Sequence, residues 1–588
     1  MPKLPTVRPR IVIRFLERNG FVLDHVSGQL PATLARLNSV VLTVMGTLGV
    51  FLALCLLHAS LLSLPYFWDE AGYYIPAALD LSRHGLLVPQ STLPNGHAPL
   101  LSVYLAVVWR LFRCSPFVTR AALVLVATLT IVALGALGRC AVQVAAKREI
   151  IWWSALCLAL SPLFFAQSSL AHPEILVALF TTLSVVALLR ERLVAFALVA
   201  SLGVLSKETA AIVLPVAWLF AWQRRRERRL KAWMALAFPV LPLLAWTLYY
   251  HRVTGFWTGN AEYLDYNLYS TLNPVRILLA LLRRLWELFG AGFNWVLLLA
   301  AAMGLWLGGR PPEGTGEKGK GQSGETEKRE TTGSTRVKGG TASHSERART
   351  LLSPFYRLPA QTPNPETPQL SDDFIFLAVG LCALYLLTLS LVGGAVLPRY
   401  LLPVFPISYL VLVTFIWRLP RALARTACTL AAAGLVSSWF INPPYPFPFE
   451  DNLAYADFIR LHQQAARFLE NGPGDPLILT AWPASGELAT PSLGYVSKAQ
   501  HVTAVRGFTS EDFANTRPES FDLLYLYSRR WEPQNNWLTR SPILGRIQRT
   551  YFGYASQIPE RMLVDRYHLR LLVDLERGGQ WVRIYTRH

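Results

Sequence analysis

Apolar runs of bilayer length recur between residues 39 and 440, separated by short polar turns. A helix needs roughly 17–25 mostly apolar residues to cross a bilayer. By that measure the pattern predicts about eleven spans, near 39–61, 118–138, 151–170, 174–190, 193–206, 210–223, 232–250, 289–308, 374–392, 399–417 and 424–440. The 193–206 and 210–223 runs are short, which implies bending or a locally thinned bilayer. Two further runs, 99–113 and 274–288, are interrupted by Arg110, Arg113, Arg276, Arg283 and Arg284. That is the pattern of helices lying along a membrane surface. The stretch before the first run is long and polar, with no small-residue cleavage site after the run. The run therefore reads as a signal anchor and not a cleaved signal peptide.

The material changes twice. Residues 309–370 are Gly, Ser, Thr, Glu, Lys and Pro with few apolar positions, the composition of a disordered linker. Residues 441–588 open on a Pro-rich stretch, Asn442 to Phe449. Leu453, Phe458, Ala465 and Leu469 then mark an amphipathic helix. Strand-like runs follow at 477–482, 501–505 and 521–527, which predicts a small α/β domain. No internal repeat is visible. The predicted class is a polytopic α-helical membrane protein with surface helices and a C-terminal α/β extracytoplasmic domain. Its segments are 1–38 (cytoplasmic), 39–308 (first membrane block), 309–370 (cytoplasmic linker), 371–440 (second membrane block) and 441–588 (outer domain).

Charge settles which side is which. The 588 residues include 56 Lys+Arg and 37 Asp+Glu, a net charge of +19. Taken alone, that excess suggests a nucleic-acid binder. With 52% hydrophobic and only 16% charged residues, the chain instead has a membrane profile, and no nucleic-acid partner is predicted. The six cysteines lie in or beside apolar runs and indicate no redox compartment. Lys and Arg accumulate in cytoplasmic loops. The segments 1–38, 139–149, 190–192, 224–231 and 418–425 carry +15 between them, whereas the tail carries only +1. They share one side if the N-terminus is cytoplasmic and 99–113 does not span.

That sidedness, drawn from basic loops alone, gathers four polar clusters on the outer face. Asp69-Glu70 follows the first span in an aromatic setting, Phe67-Trp68-Asp69-Glu70-Ala71-Gly72-Tyr73-Tyr74. Such a pair suits proton abstraction or a divalent metal, or else caps a surface helix as a solvated acidic pair. His97-Ala98-Pro99 ends the same loop, where a histidine can bind an anion, shuttle a proton or do neither. His172-Pro173-Glu174 stands at the next outer turn, with no second His or Cys at metal-ligand spacing. Ser206-Lys207-Glu208 stands midway through the 193–223 hairpin, either as a self-neutralising pair or as a phosphate-binding cation held by Glu208. Arg399-Tyr400 adds a second outer cation, or an interfacial anchor. Together these residues offer carboxylates for a hydroxyl and cations for a phosphate, on the side where free nucleotides are absent.

In this combination the chain resembles the C-type superfamily of membrane glycosyltransferases. The branch is that of dolichyl-phosphate-mannose protein mannosyltransferases and lipid A aminoarabinose transferases. The resemblance covers roughly residues 38–420. It rests on the acidic pair Asp69-Glu70 followed by Tyr73, on His97-Ala98-Pro99-Leu100, on Glu174 where the family usually has Asp, on Ser206-Lys207-Glu208, and on Arg399-Tyr400-Leu401-Leu402-Pro403. It implies a sugar donor carried on a polyprenyl phosphate in the plasma (inner) membrane and an acceptor hydroxyl on protein, lipid or glycan. It also implies an inverting single displacement. Asp69, Glu70 and Glu174 would then be the catalytic carboxylates, with Asp69 the base. Tyr73, His97, Lys207, Glu208, Arg399 and Tyr400 would bind substrate. The resemblance names no cofactor, and a divalent metal at Asp69 and Glu70 stays open. The alternative is a transporter or flippase of lipid-linked glycans, which would place its polar groups near mid-membrane, often in repeated halves.

Overall fold

The computed structural model describes residues 29–224, 229–308, 367–533 and 536–587. Most of the predicted linker, most of the cytoplasmic N-terminus and the heart of the basic 224–231 loop lie outside these residues.

The first block begins with α1 (Gln29–Leu57), which ends before the loop that carries Asp69. Within that loop lie α2 (Ile75–His84) and α3 (Leu100–Leu111). Next comes α4 (Pro116–Ala141), started by Pro116 in its first turn and by the Ser115 side chain accepting from the Val118 N–H. Both are favoured helix-start devices. The span predicted over 151–170 is broken into α5 (Lys147–Leu160) and α6 (Pro162–Gln167). Pro162 lacks the N–H that would continue the ladder, so the chain turns at Ser161. Then follow α7 (Glu174–Leu189), α8 (Leu193–Ser206), α9 (Val213–Arg224), α10 (Val240–Thr254), α11 (Pro274–Phe289) and α12 (Asn294–Gly308). The second block holds α13 (Asp372–Leu391), α14 (Phe405–Ile416) and α15 (Arg421–Ser437).

Among the described residues, four helical stretches are long and apolar enough to cross a membrane: Pro116–Ala141, Trp233–Thr254, Asp372–Leu391 and Pro398–Ile416. A fifth arises if α11 and the following helix, bent by 44° at their junction, count as one broken span. The predicted spans at 39–61, 174–190, 193–206 and 210–223 correspond to shorter apolar helices, α7 and α8 among them, whereas those at 151–170 and 424–440 fall on α5 with α6 and on α15, which do not pass the test. Large apolar side chains are exposed on the outward faces of α1, α10, α12 and α13, for example Leu42, Leu56, Leu241, Leu299 and Val379. A lipid-facing belt looks like this, since hydrocarbon solvates them as the core does.

Helix α11 is amphipathic in the inverse sense. Arg276, Arg284 and Glu287 are buried against the protein, while Val275, Leu278, Leu282 and Trp286 are exposed. Buried charge on a lipid-adjacent helix is costly and faces the protein interior for that reason.

The basic loops meet at one end of the bundle. The strands β1 (Val142–Gln143) and β2 (Gln369–Leu370) pair antiparallel. Arg425 pairs with Glu149 at 2.9 Å, Arg418 donates to the Pro368 carbonyl at 3.2 Å, and the Arg190 Nε lies 3.3 Å from the Cys140 sulfur. The end of the linker and the basic segments 139–149, 190–192 and 418–425 thus lie together.

The tail begins with α16 (Ala454–Glu470), the amphipathic helix predicted from Leu453 to Leu469. A five-stranded sheet follows, β3 (Ile478–Ala481), β4 (Val502–Val505), β5 (Leu523–Tyr527), β6 (Leu569–Arg577) and β7 (Gln580–Arg587), in the order β4-β3-β5-β7-β6. The three predicted strands are the parallel part, with β3 between β4 and β5. Sequence reasoning missed the β6–β7 hairpin. Its turn is Gly578-Gly579, both at positive φ, a two-residue hairpin signal obscured by the charged residues around it.

The tail packs firmly on the loops around Tyr66 and Ser169. The Tyr495 hydroxyl donates to the Tyr66 carbonyl at 3.0 Å, the Tyr66 N–H donates to the Leu493 carbonyl at 3.3 Å, and Ser169 and Tyr455 share a hydrogen bond of 3.1 Å. One contiguous apolar core runs from the bundle into the sheet domain. Gly72 marks the tightest contact, because a Cβ there would lie 2.6 Å from the Trp482 ring. Gly72→Ala is expected to displace Trp482 and destabilise the protein by about 1–3 kcal/mol. Thermal unfolding in detergent checks this, and an unchanged midpoint refutes it.

Candidate active site

The site lies where loops from five parts of the chain meet the start of the tail. Arg399, buried at the start of a 3₁₀ stretch (Pro398–Val404), is its centre. Its guanidinium reaches Asp69 through Nη2, Glu450 at 2.7 Å through Nη1, and Glu174 at 3.6 Å from Nε. The same Glu174 oxygen accepts from Lys207 at 2.7 Å. Glu174 is the first residue of α7, and Lys207 caps the C-terminus of α8, so the two polar residues sit where two apolar helices emerge. Lys207 also stands 4.3 Å above the Tyr400 ring, and the guanidinium carbons of Arg399 and Arg284 lie 5.6 and 5.8 Å from that ring. A tyrosine face attracts cations electrostatically, and Tyr400 gathers three.

Exposure ranks the acids. The Asp69 side chain is 19% exposed, against 2% for Glu174 and 5% for Glu450. Asp69 immediately precedes a π-helical turn (Glu70–Tyr74), and Trp68 before it holds a φ of 41°. Positive φ is uncommon for a bulky residue, and single π turns recur at functional sites.

Glu70, predicted as a second catalytic carboxylate beside Asp69, faces the other way. It is fully buried, pairs with Arg120 at 3.1 Å, and accepts from the Phe67 N–H at 2.8 Å and the Ala171 N–H at 2.6 Å. Arg120 also donates to the carbonyls of Leu64 and Ser169. Both Glu70 oxygens are therefore taken, and the pair ties the Asp69 loop to the turn before α7. The alternation of side chains sends adjacent carboxylates to different surroundings. A metal shared by Asp69 and Glu70 does not fit, because each acid is held by a different arginine. Among the described residues, no group of three or more His, Cys, Asp and Glu is arranged to hold a metal ion.

The predicted Lys207–Glu208 pair does not form. Lys207 is held by Glu174, whereas Glu208 pairs with His97 at 3.0 Å. Chain neighbours at a cap diverge in direction, so the adjacent Lys-Glu pair does not neutralise itself. The His97 loop is fastened by the Gln90 and Ser91 N–H groups, both 2.8 Å from Asp80, and by the Trp246 indole N–H on the Gly96 carbonyl at 3.1 Å. The Tyr74 ring links the two halves, stacking near His97 and edge-on to His172. Tyr73 lies against Trp482 of the tail. A small cleft opens beside these groups, lined by Tyr73, Tyr74, His97, Pro173 and Ser206 and by apolar residues such as Leu101.

Three contributors were missed or undervalued in the sequence. His172 is buried, with Nδ1 2.8 Å from the Gln167 side-chain oxygen and Nε2 3.3 Å from Arg399. Burial and then the charge of Arg399 push its pKa well below the usual histidine value, so it accepts from Arg399 as a neutral ring. Glu450 belongs to the tail. Burial raises its pKa to about 7, against the pull of Arg399, with Asp69 and Glu174 adding to the rise. Arg284 is fully buried, and its Nε and Nη2 have no partner, although Nη1 donates to the Leu397 carbonyl at 2.7 Å. Only the interrupting arginines of 274–288 hinted at it.

The solved structures similar to this chain include two of one protein. One is ArnT from Cupriavidus metallidurans bound to undecaprenyl phosphate, at 13% identity and a TM-score of 0.48, covering 93% of this chain and 98% of that one. The other is the same protein in its apo state, at 12% identity and a TM-score of 0.47, covering 94% and 98%. No family model and no curated protein matches the chain.

Proposed function

We propose that the protein is a membrane glycosyltransferase that moves a sugar from a polyprenyl-phosphate donor to an acceptor hydroxyl on the outer face. The observation that carries this reading is the continuous chain Lys207–Glu174–Arg399–Asp69, in which two buried cations alternate with two carboxylates and Asp69, the more open of the two, stands at the end. The roles follow from charge and access. Lys207 and Arg399 bind the donor phosphate and stabilise the charge that grows on it as the sugar leaves. Glu174 is a positioning residue, aiming both cations. Asp69 takes the proton from the acceptor hydroxyl. Glu208 positions His97 at the edge of the cleft, and Tyr400 holds the cations in place. Glu70 acts through the backbone, as a positioning residue for Asp69.

Without donor, Arg399 is shared among Asp69, Glu174 and Glu450. An arriving phosphate competes for that guanidinium and releases Asp69 toward the acceptor. Donor binding and base activation are thereby coupled through one side chain.

The coupling has a pH signature. Below its pKa of about 7, Glu450 is neutral and yields Arg399; above it, the carboxylate competes with the phosphate. A polyprenyl-phosphate sugar is a phosphodiester and keeps one negative charge throughout this range. Its affinity is expected to fall as pH rises through about 7, and Glu450→Gln is expected to flatten that profile. Titration of the donor from acid to alkaline pH checks this, and an unchanged slope in the variant counts against it. The linked stability has the same sign. The folded protein holds a proton that the unfolded chain releases near 4.5, so this contribution is lost between about 4.5 and 7 as pH rises.

The test of the function is reconstitution with a radiolabelled undecaprenyl-phosphate sugar and a membrane extract as acceptor. Label on an acceptor supports the transferase. Label crossing the bilayer on its lipid, with no transfer, supports the transporter instead.

A further inference from the structure

Between Pro533 and Pro559 the tail carries three arginines, Arg540, Arg546 and Arg549, and no acidic residue. The stretch forms one helical turn (Trp537–Arg540) and then α17 (Pro542–Phe552). Pro542 in the first turn and the Ser541 side chain, accepting from the Leu544 N–H, start α17 as their counterparts start α4. At 3.6 residues per turn, Ile543, Leu544, Ile547 and Tyr551 share one side of α17, and Arg546 and Arg549 lie on another. A helix of a soluble domain buries such an apolar stripe in the core. Here Gly545 is the only buried residue of α17, Ile543 is 73% exposed and Trp537 is 52% exposed.

This segment sits against two elements of the membrane block. The Trp537 indole N–H donates to the Pro444 carbonyl at 2.9 Å, in the stretch by which the chain leaves α15. That stretch includes Phe440 and Ile441, both highly exposed. Beside it, the Trp286 indole N–H of α11 donates to the Tyr445 hydroxyl at 2.9 Å. At the other end of α17, the Phe552 ring lies 5.9 Å from the guanidinium carbon of Arg283, also on α11. Helix α11 turns Leu278, Leu282 and Trp286 outward. The exposed apolar residues of 537–552 therefore adjoin the lipid-facing ones of α11 and of the α15 exit. Among the described residues, none of Arg540, Arg546 and Arg549 stands in an ion pair.

We propose that Trp537 and α17 seat the tail in the bilayer leaflet beside it. Trp537 and Ile543 enter the headgroup boundary, and the three arginines bind the phosphates of anionic lipids. Amphipathic helices with basic residues and a tryptophan lie in that plane, tryptophan concentrates at the membrane–water boundary, and surface arginines are drawn to anionic headgroups. A guanidinium fork also matches a phosphate. Charge selects lipid over a second copy of the chain, because a copy would bring the same three uncompensated arginines to the contact. The seat stands whether or not the neighbouring site transfers sugar. It also steadies that site. Phe447 bridges to Trp531, and Glu450 lies just beyond Phe447 in the chain, so seating 537–552 holds the segment that brings Glu450 to Arg399.

The experiment uses the full-length protein in liposomes, with an environment-sensitive nitrobenzoxadiazole probe on Ile543→Cys or, for comparison, on His501→Cys. Ile543 is exposed, so the substitution leaves the core intact. His501 stands just before β4, at the amino ends of the parallel strands, whereas the carboxyl end of β3 leads to Trp482 against Trp68. The chain with only its six native cysteines, labelled in parallel, gives the background. Lipids carrying a nitroxide on the acyl chain are expected to quench the probe at 543 severalfold more strongly than the probe at 501. Adding phosphatidylglycerol to phosphatidylcholine is expected to deepen the quenching at 543. The triple variant Arg540→Gln, Arg546→Gln, Arg549→Gln is expected to lose that gain. Equal quenching at 543 and 501 overturns the seat. Energy transfer between labelled chains without nitroxide quenching makes a second copy the occupant and overturns it too. Quenching at 543 that ignores phosphatidylglycerol, or that deepens equally in the triple variant, overturns the role given to the arginines.

Discussion

Asp69→Asn is expected to lower sugar transfer by about 10²–10⁴-fold, the contribution of a positioned general base, while leaving the protein folded in the membrane. The amide can still accept from Arg399, so the loop keeps its shape. It cannot take a proton at neutral pH, so the acceptor hydroxyl stays unactivated. The companion variant Lys207→Ala is expected to cost about 10²–10³-fold, the loss of one preorganised electrostatic group. The two should differ in kind. On the proposed mechanism Lys207→Ala should weaken undecaprenyl-phosphate binding as well as turnover, because it removes the buried cation that Glu174 holds in place. Asp69→Asn leaves lipid binding unchanged or tightens it, because Arg399 loses a competing carboxylate. Rates from the reconstituted assay and lipid affinities measured beside them decide the matter. Wild-type rates in either variant would remove that residue from the mechanism.

Arg120→Ala is expected to be the most damaging single change to stability, at about 3–5 kcal/mol, the cost of stranding one partner of a buried ion pair. Glu70 is fully enclosed, and burial already raises its pKa, with Arg120 the main opposing influence. Without the arginine, Glu70 must either stay charged without a counterion or take up a proton and lose its acceptor geometry. The carbonyls of Leu64 and Ser169 lose their donor as well. The loop from Leu64 to Tyr74 would then come away from the turn before α7. The double variant Arg120→Met, Glu70→Gln should recover part of the loss, because two neutral side chains strand no charge. Thermal unfolding of the purified variants reads this directly. A single variant as stable as wild type would show that the pair is dispensable.

Much of the architecture was legible in order. The 193–206 run predicted a helix, and α8 occupies Leu193–Ser206. The 374–392 run corresponds to α13 and the 118–138 run to α4. Long apolar runs form helices locally, because every backbone group in lipid must be satisfied within the segment. Breaks were less legible. The Ser161-Pro162 turn needed attention to one proline inside an apolar stretch, and the 44° bend between α11 and the next helix needed neighbours to pack against.

The clusters of the candidate site were also legible, as separate polar marks on apolar ground. Their partnerships were not. Adjacent residues such as Asp69 and Glu70, or Lys207 and Glu208, seemed natural pairs in one dimension. In the folded chain each finds a partner far away: Arg399, Arg120, Glu174 and His97 respectively. Glu450 carried no mark at all, since an acid after a Pro-rich stretch looks like any surface residue. Its burial comes only from docking the tail on the outer loops.

The division is therefore a physical one. Hydrophobic length, the placing of helices and the polar marks that interrupt them depend on solvent and on local backbone satisfaction. The sequence by itself determines those. Which carboxylate stays more open, which acid holds each cation, and that Trp482 at the end of β3 packs on the Asp69 loop depend on contacts between residues far apart in the chain. Only the tertiary structure decided them, because the sign and strength of a charge's environment are set by what is packed beside it in space.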